Sequence, residues 1–270
     1  MNMFKKSLFM IGLTILSVGV FAQSVTDAGA KYNDGNNLYN AKDYAAAITT
    51  YSEALEVAKL AGPEADELKG KIETQLTNSY LKQGVSIYKK DIDGAIATLD
   101  KGYAFAEELN DTKSVKKFAS TIAQLRTKKG DNLRDEEKLD EAYAEYEMAL
   151  NMKANYPKAL YGQGMVFKEK GELDKMTEKM DSVIKYGGDN PKMEKIVAAA
   201  KANAARSLLA KAAEELNGEK YDKASEFIEM SLTYAPFDEG TMAIFDQIAE
   251  QAIEIEGVSA TIQKAKETLN

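Results

Sequence analysis

Residues 44–58 read YAAAITTYSEALEVA. Apolar or small side chains fall at Tyr44, Ala47, Ile48, Tyr51, Ala54, Leu55 and Ala58, at offsets 0, 3, 4, 7, 10, 11 and 14. This spacing lays one stripe along one face of a helix with 3.6 residues per turn. The same offsets return from Ile92 through Ala95, Ile96, Leu99, Gly102, Tyr103 and Ala106, and from Leu139 through Ala142, Tyr143, Tyr146, Ala149 and Leu150. They return again from Leu173 through Met176, Met180, Val183 and Ile184, and from Tyr221 through Ala224, Ile228, Ser231 and Leu232. Every stripe begins just after a short polar turn, at 40–43, 89–91, 135–138, 170–172 and 217–220.

A second helix precedes each turn. Gly35, Gly130 and Gly164 lie nine positions before the first stripe residue, Gly84 lies eight before Ile92, and Ala212 holds the place in the last case. A small residue there lets two helices approach closely. All four prolines, Pro63, Pro157, Pro191 and Pro236, follow a stripe helix, where Pro cannot continue the helix and starts the next one.

This combination resembles the tetratricopeptide repeat (TPR) family, in which helix A carries a small residue and helix B carries small, aromatic and small residues before a Pro. Gly35, Ala47, Tyr51, Ala54 and Pro63 match, as do Gly130, Ala142, Tyr146, Ala149 and Pro157; Gly164, Met176, Met180, Val183 and Pro191 match more weakly. No repeat carries the family's Trp. The resemblance implies an all-α α-solenoid, a right-handed superhelix of about five irregular helix pairs at 25–62, 64–110, 112–155, 157–189 and 192–237. The stripe starts are 48, 47, 34 and 48 apart, so helices longer than the family's are expected within Glu64–Lys89, Thr112–Arg134 and Lys192–Asn217. After Pro236 the stripe continues through Met242, Phe245, Ile248, Ala249, Ala252 and Ile253, with Gly257 expected to end that helix. Val258–Leu269 reads as a last amphipathic helix with Ser259 as its N-cap. Residues 238–270 are thus expected to cap the array.

Residues 1–22 read as a secretory signal peptide: Lys5 and Lys6, an apolar stretch from Leu8 to Val20, and Val20-Phe21-Ala22 as the cleavage site. The apolar run is too short to span a bilayer. Cleavage would leave Gln23 first and change the formal charge from −8 to −8 − 2 = −10. The expected destination is the periplasm, or the exterior, with no membrane-spanning segment after cleavage.

The chain contains no Cys, no His and no Trp. Triads, thiolate nucleophiles, disulfides and imidazole or thiolate metal sites are therefore excluded. The acidic balance disfavours nucleic acid as a partner. Asp91-Ile92-Asp93-Gly94 places its Gly too early for a calcium loop and reads as a helix cap. Gly162-Gln163-Gly164 lacks the strand and third glycine of a dinucleotide fingerprint and reads as helix packing. Nothing points to a cofactor. The acids Asp131, Asp135, Glu136, Glu137, Asp140 and Glu141 read as a solvated helix junction rather than paired catalytic carboxylates. Lys113, Lys116, Lys117, Arg126, Lys128 and Lys129 form a basic run along one helix, an exposed face or a docking patch for an acidic partner or anionic polymer. Tyr44, Tyr51, Tyr103, Tyr143, Tyr146 and Tyr221 lie on B-helix stripes and read as core; Tyr32, Tyr39, Tyr80, Tyr88 and Tyr161 lie on A helices.

The resemblance places A helices on the concave side and implies a groove that binds a protein or peptide. Its positions here are Tyr32, Asn36, Tyr39 and Asn40, then Asn78 and Lys82, then Arg134, then Tyr161 and Lys168. The family's carboxylate-clamp pattern is not matched, because Tyr32, Asn36, Thr127 and Asp131 stand at the corresponding positions. The leading expectation is a non-enzymatic scaffold of the cell envelope. A binder of cell-wall glycan or another polymer is the second reading, and a carboxylate-based glycan hydrolase the third. The pattern specifies neither the partner's identity nor the oligomeric state.

Overall fold

The computed structural model describes residues 25–269, and the segment read as a signal peptide lies outside the described residues. The described chain is all-α. After α1 (25–40) come α2 (Tyr44–Ala61), α3 (Asp66–Ile87), α4 (Ile92–Glu108), α5 (Thr112–Asp135), α6 (Leu139–Met152) and α7 (Pro157–Glu169). The chain continues with α8 (Leu173–Gly187), α9 (Glu194–Asn217), α10 (Tyr221–Leu232), α11 (Glu239–Gln251) and α12 (Val258–Leu269). The stripes at Tyr44, Ile92, Leu139, Leu173 and Tyr221 each open a helix. The long helices expected from the repeat spacing are α3, α5 and α9, of 22, 24 and 24 residues.

The chain divides into two compact units, one ending at Leu125 and the other beginning at Arg126, with the boundary inside α5. In each unit consecutive helices pack on one another, α2 on α3 and α3 on α4 in the first, and α6 through α10 in series in the second. This is the helix-pair organisation of the α-solenoid class.

The small residue of each A helix faces the seventh-offset residue of its B helix. A β carbon at Gly35 would stand 2.5 Å from Tyr51 Cε1, at Gly84 2.5 Å from Leu99 Cγ, at Gly130 2.7 Å from Tyr146 Cε1 and at Gly164 2.8 Å from Met180 Cε. Tyr51, Leu99, Tyr146 and Met180 are fully buried. Tyr146 is confined from both sides, because a β carbon at Gly162 of α7 would also strike its ring. Gly162-Gln163-Gly164 is thus helix packing, with all three residues buried. The tyrosine hydroxyls emerge at the A helices: Tyr51 donates to Asn36 Oδ1 at 2.7 Å, and Tyr146 to Asp131 Oδ1 at 2.8 Å. Burial, and then the Asp131 charge, push the Tyr146 phenol well above its ordinary range. Burial and the neighbouring Tyr32 and Tyr39 push Tyr51 up to about 12.

The turns share a second device. Lys42, Glu137, Gly171 and Glu219, each two residues before a B helix, have φ of 63°, 61°, 74° and 58°. The following residue donates back five positions, Asp43 N to Leu38 O, Lys138 N to Leu133 O, Glu172 N to Phe167 O and Lys220 N to Glu215 O. These bonds satisfy the last carbonyls of each A helix, and the left-handed residue is where Gly is ordinarily favoured. The turn before α4 holds no such residue; there Asp91 caps α4 by accepting from Gly94 N at 2.8 Å, the cap read from Asp91-Ile92-Asp93-Gly94.

Three local expectations are corrected. α11 ends at Gln251, not at Gly257. Ala252 remains buried, but Ile253 is 71% exposed in the turn that follows. Ser259 is not an N-cap, because α12 already begins at Val258 after Gly257 has turned the chain with a φ of 88°. Tyr221 opens its stripe but is 38% exposed rather than core. The last two helices still close the apolar core, with Phe245, Ile248, Val258 and Ile262 packed against Leu209, Leu216, Ala224 and Ile228.

Two substitutions separate these devices by sign. Gly162→Ala drives a methyl into a ring that cannot retreat and is expected to lower stability by about 1–3 kcal/mol. Glu219→Gly relieves a left-handed residue and is expected to raise stability by about 1 kcal/mol. Urea unfolding of both variants checks the pair; a stabilised Gly162→Ala would mean the ring has room.

Candidate functional site

In the second unit α7 packs on α9, and α9 on α11. Their polar side chains converge on Asn203. Its Nδ2 donates to the Tyr161 hydroxyl at 3.0 Å and to the Ala199 carbonyl at 2.9 Å, and its Oδ1 accepts from Lys168 Nζ at 2.6 Å. Arg134, near the end of α5, faces Glu169 at 3.4 Å. On α9, Arg206 donates through Nε to Thr241 Oγ1 at 3.1 Å and through Nη2 to the Asp238 carboxylate. Asp238 in turn caps α11, accepting from Thr241 N at 2.8 Å.

The electrostatics follow from these contacts. Desolvation, followed by the Arg206 charge, pulls the Lys168 ammonium below its ordinary range against the opposing pull of Glu169. Hydrogen bonds from Thr241 and Arg206 hold the Asp238 carboxyl down to about 2. Burial pushes the Tyr161 phenol up.

Beside this network lies a cavity of about 440 Å³. Its floor is the alanine face of α9, at Ala198, Ala199, Ala202 and Ala205, and its wall is Tyr234, Pro236 and Phe237, with Lys201 and Arg206 over it. Tyr234 fixes the wall: it is buried and donates to Asp181 Oδ1 at 2.9 Å.

Arg134, Tyr161 and Lys168 therefore share one region of the second unit. In the first unit Tyr32 and Asn78 line a shallow cavity of about 420 Å³ with Glu67 and Lys71. Asn36 receives the Tyr51 hydroxyl. Tyr39 stacks edge-on against Tyr44 with centroids 5.3 Å apart, which sets it at the α1–α2 junction. Asn40 and Lys82 are exposed. Tyr80 packs against Phe105.

The basic run separates by environment. Lys113, Lys116, Lys117 and Lys128 are exposed. Arg126 and Lys129 face α6, where both pair with the buried Glu145 carboxylate, at 3.1 and 2.6 Å. The acidic junction is likewise taken up piecemeal: Asp131 holds the Tyr146 hydroxyl, Glu136 pairs with Lys138, and Asp140 with Lys170.

Asn203, Arg206 and Lys201 were missed by sequence reasoning. The repeat frame of α9 is anchored at Ala212, and these residues lie in the extra turns that precede it. The signal available was the interval of 48 between the last two stripe starts, which puts several unframed turns before Ala212. Glu145 was missed because it sits beside the stripe residue Tyr146, and its cations lie on the preceding helix.

Among the described residues, no helix is long and apolar enough to cross a membrane, and no cluster of three or more ligating side chains is placed to hold a metal ion. No family model and no curated protein matches the sequence. Among solved structures, the chain is similar to the crystal structure of YrrB, a TPR protein with an unusual peptide-binding site, at 16% identity and a TM-score of 0.32 over 92% of this chain and 97% of that one. It is also similar to a MamA RS-1 ArsTM double mutant, at 14% identity and a TM-score of 0.33 over 75% of this chain and 95% of that one.

Glu145→Ala would strand two cations that are 15% and 26% exposed, and is expected to cost about 1–3 kcal/mol. Glu67→Ala, which breaks the exposed pair with Lys71, is expected to leave denaturant unfolding unchanged. The Asp238 carboxyl is lowered in the folded state, so its stabilisation is complete above the ordinary carboxylate value of about 4 and lost as pH falls towards about 2. The melting temperature of the wild type should exceed that of Asp238→Asn at neutral pH, and the gap should close across that window. A constant gap would show that the charge contributes nothing.

Proposed function

We propose that this chain is a non-enzymatic interaction scaffold, exported to the periplasm through its N-terminal signal, that binds a protein or peptide partner on the α7–α9–α11 face of its second unit. The observation that carries this reading is the line of Tyr161, Lys168, Asn203 and Arg206 beside an open cavity floored by alanines. Aromatic rings, an amide and a guanidinium provide adaptable hydrogen bonding and rigid contact area, the composition of interface hot spots. The alanine floor leaves room for side chains of the partner. The lack of Cys and His removes the commonest nucleophiles and proton-transfer groups. Export is supported by the Lys5-Lys6 head, the apolar stretch and the Val20-Phe21-Ala22 site.

The full-length chain, tagged at its C-terminus, is expected in the periplasmic fraction with Gln23 as its first residue. Used as bait in a detergent-solubilised envelope extract, it should recover a discrete protein that a Tyr161→Ala, Asn203→Ala double variant of equal thermal stability does not. Recovery by both baits would move the binding face elsewhere. Turnover of a glycan panel by the purified protein would overturn the non-enzymatic reading.

A further inference from the structure

The cavity on α9 does not end at its alanine floor. A second cavity, of about 400 Å³, is lined by the turn at Gly188–Pro191, by Glu194 and by Val197, and shares Ala198 and Lys201 with the first. The two form one trough along α9 with Lys201 at the junction. A trough open past its midpoint suits a chain that runs through it rather than one that terminates in it.

Its charges are ordered along this path. Asp189 and Glu194 stand at one end, Lys201 in the middle, and Arg206 with its ion-pair partner Asp238 at the other end. Among the described residues Lys201, Asp189 and Glu194 make no ion pair, and Arg206 keeps its Nη1 group without a partner after binding Thr241 and Asp238. A ligand can therefore complete these charges without breaking a bond already made. Between Lys201 and Arg206 the cavity is lined by Ala202, Asn203 and Ala205, so a small apolar group of the ligand can seat on the alanines beside the Asn203 amide.

We infer that the trough binds an internal, extended peptide segment bearing a basic residue and an acidic residue about three positions apart, with the basic side chain over Asp189 and Glu194 and the acidic one over Lys201. This rests on the peptide-binding reading of the same face and specifies its ligand. The spacing follows from geometry. Glu194 and Lys201 are seven helical residues apart, roughly 10 Å at 1.5 Å per residue, which about three residues of an extended chain cover at 3.3 Å each. From Glu194 to Arg206 the trough runs roughly 18 Å, the length of five or six extended residues. Charge order sets which sequence is accepted, because like charges across an interface are penalised.

The test uses the full mature chain and an immobilised positional-scanning library of hexapeptides, one set with both ends blocked and one with a free C-terminal carboxylate. The wild type is expected to enrich Asp or Glu three positions from Lys or Arg among the blocked peptides by roughly tenfold, the effect of one well-placed interfacial ion pair. Lys201→Glu, with its melting temperature unchanged, should lose that acid preference and instead enrich Lys or Arg at the same position. Binding confined to peptides with a free C-terminus would overturn the through-running segment. Hexapeptides that bind the wild type and fail to bind the Tyr161→Ala, Asn203→Ala variant, yet show no acid preference, would overturn the ligand assignment while leaving the binding face intact. Absence of any hexapeptide binding would overturn both.

Discussion

The fold depends on one steric pairing, a large B-helix side chain set against an A-helix glycine, or in the last pair an alanine, whose side chain is no more than a β carbon. Tyr146 shows it most fully, held between Gly130 on α5 and Gly162 on α7. Tyr51, Leu99, Tyr146 and Met180 face glycines, while in the last pair Ala212 and the β-branched Ile228 lie in the same core cluster. Interiors are packed near crystal density, so helix separation follows from the sum of two facing side chains. A bulky residue on one helix therefore demands its absence on the other, and this coupling makes the period visible.

The two buried tyrosines also link core to surface. Each ring fills the interior while its hydroxyl reaches a polar residue just after the A-helix glycine, Asn36 after Gly35 and Asp131 after Gly130. A buried hydroxyl left without a partner would be costly, so the residue at that position is selected from below as much as from the solvent side. Asn36 and Asp131 thus answer to packing first. The second unit reserves a different part of its A-helix surface for free polar groups, on the portion of α9 that precedes the paired segment.

The legible parts of the sequence are those governed by this local rule. The starts of α2, α4, α6, α8 and α10 fall where the stripes begin, because the turn and the first buried residue are adjacent in the chain. The end of α11 was not legible. Ala252 and Ile253 continue the apolar spacing, but the chain leaves the helix at Gln251 and the pattern no longer reports one face. Glu145 was hidden for a different reason: its burial is intelligible only through Arg126 and Lys129, on another helix. For the candidate site, Arg134, Tyr161 and Lys168 were reached from the frame. Asn203 and Arg206 were not, since α9 runs 18 residues from Glu194 before reaching Ala212, and nothing periodic marks its early turns.

The alanine floor of α9 has a thermodynamic consequence. Alanine has no rotamers to lose when it is covered, whereas longer side chains lose up to about 2 kcal/mol of conformational freedom each on being immobilised. Ala198, Ala199 and Ala202 can be covered without that loss, and Ala205 is already buried. Asn203, which lines the same cavity, is already fixed by Tyr161, Lys168 and a main-chain carbonyl. Apart from Lys201 and Glu194, whose side chains become ordered when they pair, the ordering entropy of association would then fall on the incoming chain, so a stiffer ligand would bind more tightly than a flexible one of identical sequence.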